Sequence, residues 1–227
     1  MTKHYYHRTW VTQELAPFCS SNSILIAANH YNDPQTAWES WTMPDDMLCA
    51  LVKMHSDRSL LTQCACRLAA VTLPILETRT DDGKLFRTAL GAARQWAVLP
   101  HAATLHLATE LISDVNQAAN QIIVPLSARY AAQSVYKALR TVSSPQQAQE
   151  LAFGIECALL TAIHPIVDGA PLSKNLLAGV KNEQLTEKTI RQWQCDLVRQ
   201  FFPNRPVYQK ATVPNIFALK KSKAKRK

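Results

Sequence analysis

The sequence predicts an all-α protein whose antiparallel helical hairpins pack as a bundle or a short α-solenoid. Three observations carry this. The 227 residues include only 5 glycines, too few for the turns of a β-rich fold of this size. Apolar side chains recur every three to four positions from Thr42 to Phe202, the period of one buried helix face. Prolines and turn residues interrupt that pattern about every four turns. With 47% hydrophobic and 19% charged residues, the chain can bury a substantial core.

The expected organisation is an aromatic and polar N-terminal segment over residues 1–43 packed on the body, a helical domain over 44–202, and a disordered basic tail over 203–227. The N-terminal segment is the least regular, and Ile24 to Ala28 reads equally as a strand or a buried helical turn. Asp33 and Pro34 fit a cap and first residue for a short helix carrying Trp38 and Trp41. Thr42 and Asp45 resemble a capping box ahead of Leu48, Leu51, Val52 and Met54, giving a helix to about His55. Leu60, Leu61, Cys64, Leu68, Val71, Thr72 and Ile75 form one inward stripe, which Pro74 should kink.

A turn over Arg79 to Lys84 leads to a helix with Leu85, Ala89, Ala93, Trp96 and Ala97 inward, stopped by Pro100. The next helix turns Leu105, Ala108, Leu111, Ile112, Val115 and Ala119 inward. After Pro125 a third uses Ala128, Ala131, Ala132, Val135, Tyr136 and Leu139. Ser144, Pro145 and Gln147 form the clearest start signal, for a helix lined by Leu151, Ala152, Ile155, Ala158, Leu159 and Ala162 and ended by His164 and Pro165. A short helix is expected near Ser173 to Val180. Thr186 then caps a last one with Ile190, Trp193, Leu197, Val198 and Phe201 inward, before Pro203.

The formal charge is +8, and removing Lys220, Lys221, Lys223, Lys225, Arg226 and Lys227 leaves a body of only +2. Nonspecific phosphate contact would therefore come from this tail, not from a basic groove on the fold. No secretory pattern opens the sequence and no run of about 18 apolar residues is evident, so a cytoplasmic protein without membrane segments is expected. The six cysteines read as thiols in a reducing compartment. Cys64 and Cys66 point to different sides of a helix and cannot share one ion, so they read as core. His101 and His106, like His4 and His7, lack the spacing of a zinc hydrolase and read as locally bonded or surface groups. No metal site, cofactor or catalytic set is expected. Arg87 and Arg94, two turns apart and opposite the apolar stripe, suit an acidic partner.

Two resemblances add to this reading. The stretch His164, Pro165, Ile166, Val167, Asp168, Gly169 resembles the start of the motif of Fic-type AMP transferases. In that family the histidine activates a hydroxyl and the acid holds a metal. The chain continues Ala170, Pro171, Leu172, Ser173, without the second glycine and the arginine that cradle phosphate. Leu68 to Ala97, reading LAAVTLPILETRTDDGKLFRTALGAARQWA, is similar to immunity proteins of bacterial polymorphic toxin systems. Arg87, Ala89, Ala92, Ala93, Arg94 and Trp96 carry that likeness, and the alanine-rich helices to about Ala162 continue it loosely.

It implies a non-enzymatic helical module that binds another protein, a toxin; Arg87, Arg94, Trp38 and Trp41 are the candidate anchors for that role, with Trp96 last because it lies on the core stripe. The alternatives are a nucleic-acid-associated accessory protein using the basic tail and a degenerate Fic-like transferase.

Overall fold

The computed structural model describes residues 30–54, 56–164, 177 and 180–204, and the described chain is all-α. Its helices are α1 (Pro34–Ser40), α2 (Pro44–Lys53), α3 (Arg58–Ala69), α4 (Leu73–Arg79), α5 (Gly83–Val98), α6 (Ala102–Gln121), α7 (Leu126–Arg140), α8 (Leu151–Ile163) and α9 (Glu187–Phe201). Short connections make successive helices neighbours, with α4 on α5, α5 on α6, α6 on α7 and α7 on α8, while α9 returns to pack on α2, α3 and α8.

Helix α3 is the axis of this packing. It touches α5, α7, α8 and α9 as well as the 3-10 turn Pro145–Glu150. A single inward stripe was expected, yet Leu61, Thr62, Cys64, Ala65, Cys66, Leu68 and Ala69 are all buried, so the helix is covered on nearly every side. Both thiols are fully inside, and burial pushes Cys66 up to about 12 and Cys64 higher still. They are packing groups, as their spacing indicated. With the 3-10 turn Ala70–Thr72 and α4, α3 makes a continuous stretch, Arg58–Arg79, that is long and apolar enough to cross a membrane. That corrects the expectation that no such run exists. Its most apolar window is 61% buried against the other helices, which satisfies its apolar surface without lipid.

Several starts follow the residues that mark them. Asp33 caps α1, its carboxylate accepting from the Thr36 amide at 2.9 Å, with Pro34 in the first turn. Asp57 caps α3 through the Leu60 amide at 2.8 Å. Thr186 forms a reciprocal capping box with Thr189 on α9, and His101 does the same with Thr104 on α6. Pro74 ends up in the first turn of α4, so the expected kink is a break spanned by a 3-10 turn.

Two start signals acted differently. Pro44 opens α2, which places the cap at Met43, outside the reach of the Thr42 and Asp45 box. The Ser144 and Pro145 signal begins a 3-10 turn, with Ser144 making no side-chain cap, and α8 starts at Leu151. Ile24 to Ala28, His4, His7, His55 and most of the helix expected at 173–180 lie outside the described residues. Leu177 and Val180 form an isolated antiparallel bridge.

Small residues let the helices approach. At Gly83 an added Cβ would fall 2.8 Å from the Glu77 Cα, so the turn between α4 and α5 closes on bare backbone. At Gly154 the added atom would fall 2.8 Å from Ser134 Oγ on α7. Gly83→Ala should therefore cost about 2 kcal/mol in urea denaturation, because the obstructing atom is backbone. At position 154 the obstruction is a hydroxyl that can be removed. The Ser134→Ala, Gly154→Ala double variant is expected to exceed Gly154→Ala by ~1 kcal/mol in the same assay; a double variant no more stable than the single would show that α7 and α8 have room to spare.

Candidate functional site

Of the four residues expected to contact a partner, two are in the core. Trp38 and Trp41 are 1% and 7% exposed. Their rings meet edge to face with centroids 6.2 Å apart, and Trp38 Nε1 donates to the Phe202 carbonyl at 2.8 Å. They join α1 to α9 and present no anchor to a partner. Composition gave the aromatics, but only the long-range pairing with Phe202 decides which side they face.

Arg87 and Arg94 are both exposed on α5. Arg87 makes an ion pair with Glu77 through two guanidinium nitrogens. Arg94 has no ion pair among the described residues, and its charge acts on the Cys66 thiol beneath. Lys84 is exposed on the same helix, which contains no acidic residue. The exposed Val98 and Leu99, at 67% and 56%, finish its C-terminal end. Trp96 is buried under the guanidinium of Arg58, 5.0 Å from the ring centroid. Lys220, Lys221, Lys223, Lys225, Arg226 and Lys227 lie outside the described residues, as does Asp168; His164 is exposed and closes α8. His106 pairs with Glu110 at 3.0 Å on the surface. Among the described residues no group of three His, Cys, Asp or Glu side chains could hold a metal.

Three polar joints link residues too far apart in the sequence for local patterns to pair them. Asp45 Oδ1 accepts from the amides of Ala152 at 3.1 Å and Phe153 at 3.4 Å, so a residue of α2 caps α8 from 107 positions away. Arg199 donates to the carbonyls of Trp38, at 3.2 Å, and Trp41, closing the C-terminal end of α1. Arg79 reaches Ser127 Oγ at 2.9 Å and the Ala162 carbonyl at 3.3 Å, tying α4 to α7 and α8. Each satisfies groups that a helix end leaves without partners. Their only sequence signal is a charged residue near a helix terminus, which does not say whose terminus it serves. Nearby, Glu156, 6% exposed, receives Arg191 through Nε at 2.8 Å and Nη2 at 3.2 Å.

Asp45 also lines a cleft of about 680 Å³ with Arg129, Tyr130, Gln133 and Lys137 of α7, Gln149 and Glu150 of the 3-10 turn, and Phe153 and Gly154 of α8. Burial pushes the Asp45 carboxyl up to about 6, against the pull of its two amide bonds, with Asp46 and Glu156 adding repulsion. Lys137 on the facing wall is held by Glu150 at 2.9 Å. Phe153 is 59% exposed. A second hollow of about 530 Å³ is lined by Thr42, Met43, Thr186, Glu187, Lys188, Arg191 and Gln192. Compared with models of known families, with curated proteins and with solved structures, the chain matches none.

The raised Asp45 carboxyl gives a signed expectation. Its folded value exceeds the unfolded value near 4, so the folded state binds the proton more tightly. The group's contribution to stability is thus greatest below about pH 4 and falls as pH rises to about 6. Asp45→Asn keeps an oxygen for the two amides and removes the titration. Its urea midpoint should lose that decline, with a relative gain over wild type of ~1–2 kcal/mol between pH 4 and 7 after allowance for partial exposure. Asp45→Ala should instead lose the cap and ~1 kcal/mol of the stability that Asp45→Asn retains.

Proposed function

We propose that this chain is a non-enzymatic helical module that binds the acidic surface of another protein through the outer face of α5. The observation that carries the reading is the character of that face. Lys84, Arg87 and Arg94 lie on a helix with no acidic residue, Arg87 being paired with Glu77 of α4, and exposed Val98 and Leu99 end that helix. Arg87 and Arg94 are seven residues apart, roughly 10 Å along the axis, a spacing that suits carboxylates on a facing helix or strand. Helix α5 is fixed by α3, α4, α6 and α7, so the guanidinium groups rise from a rigid base and binding orders few additional residues.

Cations of this kind accelerate encounter with an acidic partner and set its orientation, while neighbouring apolar side chains supply contact area. The similarity of Leu68 to Ala97 to immunity proteins supports a toxin as that partner. Neutralisation of that kind requires steric cover over the partner's active surface and no chemistry from this chain.

Titration calorimetry against the proteins encoded beside its gene tests the proposal. One of them should bind, with affinity falling as salt rises. The Arg87→Glu, Arg94→Glu double variant should weaken that binding by about 100-fold, while its thermal midpoint falls little, since an exposed pair such as Arg87 with Glu77 contributes about 1 kcal/mol at most. If no neighbouring product binds, or if the charge-reversed variant binds as well as wild type, the α5 face is not the interface.

A further inference from the structure

The cleft between α7 and α8 is lined by two acids, Asp45 and Glu150, and two bases, Arg129 and Lys137, and its electrostatic imbalance is local to Asp45. Asp45 is partly buried there, with one oxygen occupied by the Ala152 and Phe153 amides. No cation pairs with it among the described residues. Asp46 and Glu156 lie close enough to repel it. The guanidinium of Arg191 on α9 feels the Asp45 charge, but its hydrogen bonds and ion pairs go to Glu156 and to Glu187 at 2.5 Å. Lys137, across the cleft, is held by Glu150, and Arg129 is exposed at the other end of the α7 wall, eight residues away, where solvent screens it. A partly buried carboxylate without a counter-ion is costly. An incoming cation would relieve that cost.

The walls suit an organic cation. Phe153, 59% exposed, and Tyr130, half-buried, both line the cleft. Aromatic faces attract ammonium groups and accept apolar bodies. Gly154 lines the cleft as well, and its missing side chain is what lets α8 approach Ser134 of α7. The volume, about 680 Å³, is that of a small-molecule site. We infer that this cleft binds a small primary amine with an aromatic body, its ammonium paired with Asp45 and its ring laid against Phe153 and Tyr130. None of the residues that line the cleft belongs to α5.

Phenethylamine is the probe, measured by calorimetry on the full chain at pH 7.5. It should bind saturably, with a dissociation constant near 1 mM or below (about 1 mM being usual for a ligand this small). The isosteric anion 3-phenylpropionate should bind at least ~10-fold more weakly. Asp45→Asn, which keeps the cap on α8, should reduce amine affinity ~10-fold or more, and Phe153→Ala, altered at an exposed side chain, about threefold to tenfold. Wild-type affinity should rise by ~10-fold from pH 5 to pH 7.5 as Asp45 ionises, and the Asp45→Asn profile should be flat. The inference is overturned if phenethylamine shows no saturable binding up to about 20 mM, if the anion binds as tightly, or if Asp45→Asn and Phe153→Ala both leave its affinity unchanged.

Discussion

Everything in this fold depends on covering α3. A helix that carries Leu61, Cys64, Ala65, Cys66, Leu68 and Ala69 at 0–1% exposure must be contacted around most of its circumference, and the chain supplies the cover from sequentially distant α5, α7, α8 and α9. Helices crowded round one axis must also approach one another closely. That requirement accounts for the alanines of α7 and α8: Ala128, Ala131, Ala132 and Ala138 face inward on one, Ala152, Ala158 and Ala162 on the other. Large apolar side chains in both would hold the axes apart and leave α3 incompletely covered. The alanine richness is thus a packing consequence before it is a helix propensity.

Crowding creates a second demand, because helix ends pressed against neighbours lose access to water. Unpaired amides and carbonyls there would be expensive. Asp45, Arg79 and Arg199 meet that demand from other elements, and each therefore does two things at once, satisfying a terminus and holding two or three helices in register. Arg199 shows the coupling most clearly. It serves the carbonyls of Trp38 and Trp41 while Trp38 itself donates to Phe202, one residue past the end of α9. The short α1, too brief to be stable alone, is ordered by that reciprocal pair of contacts.

This division explains what was legible in the sequence. Apolar periodicity located α5, α6, α7 and α9 closely, since each of those helices has apolar or small residues at three- and four-residue spacing along its buried side. On α3 it found the buried stripe through Leu61, Cys64 and Leu68 but not the further cover over Thr62, Ala65 and Ala69, which leaves little beyond Arg58 and Arg67 exposed. The same apolar density makes Arg58–Arg79 look like a membrane span. Local caps at Asp33 and Thr186 were readable because both partners lie within three residues. The cap on α8 was not: Ser144 and Pro145 form a sound local signal, but the carboxylate that serves the first amides of the helix comes from α2. Trp38 and Trp41 were misjudged for the same reason. An aromatic pair on a short amphipathic segment is equally suited to an interface or a core, and the deciding partner, Phe202, lies 164 positions away from Trp38.

The distribution of charge separates two regions with opposite needs. On α5, cations project into solvent, where their mutual repulsion is screened and costs little; such groups influence what approaches but hardly affect folding. Around Asp45 the carboxylates are in excess and partly withdrawn from water, so their repulsion falls on the folded state itself. Capping α8 does not require this arrangement, because an asparagine oxygen would accept the same two amides without the charge. A chain that nonetheless carries a carboxylate there, beside Asp46 and Glu156, keeps a destabilised anion in the lining of an open cleft. Any cation that settles on it recovers part of that free energy as binding, and by linkage its occupancy stabilises α8 and the neighbouring α2. The same physics that makes Asp45 a poor choice for stability makes it a favourable one for holding an amine.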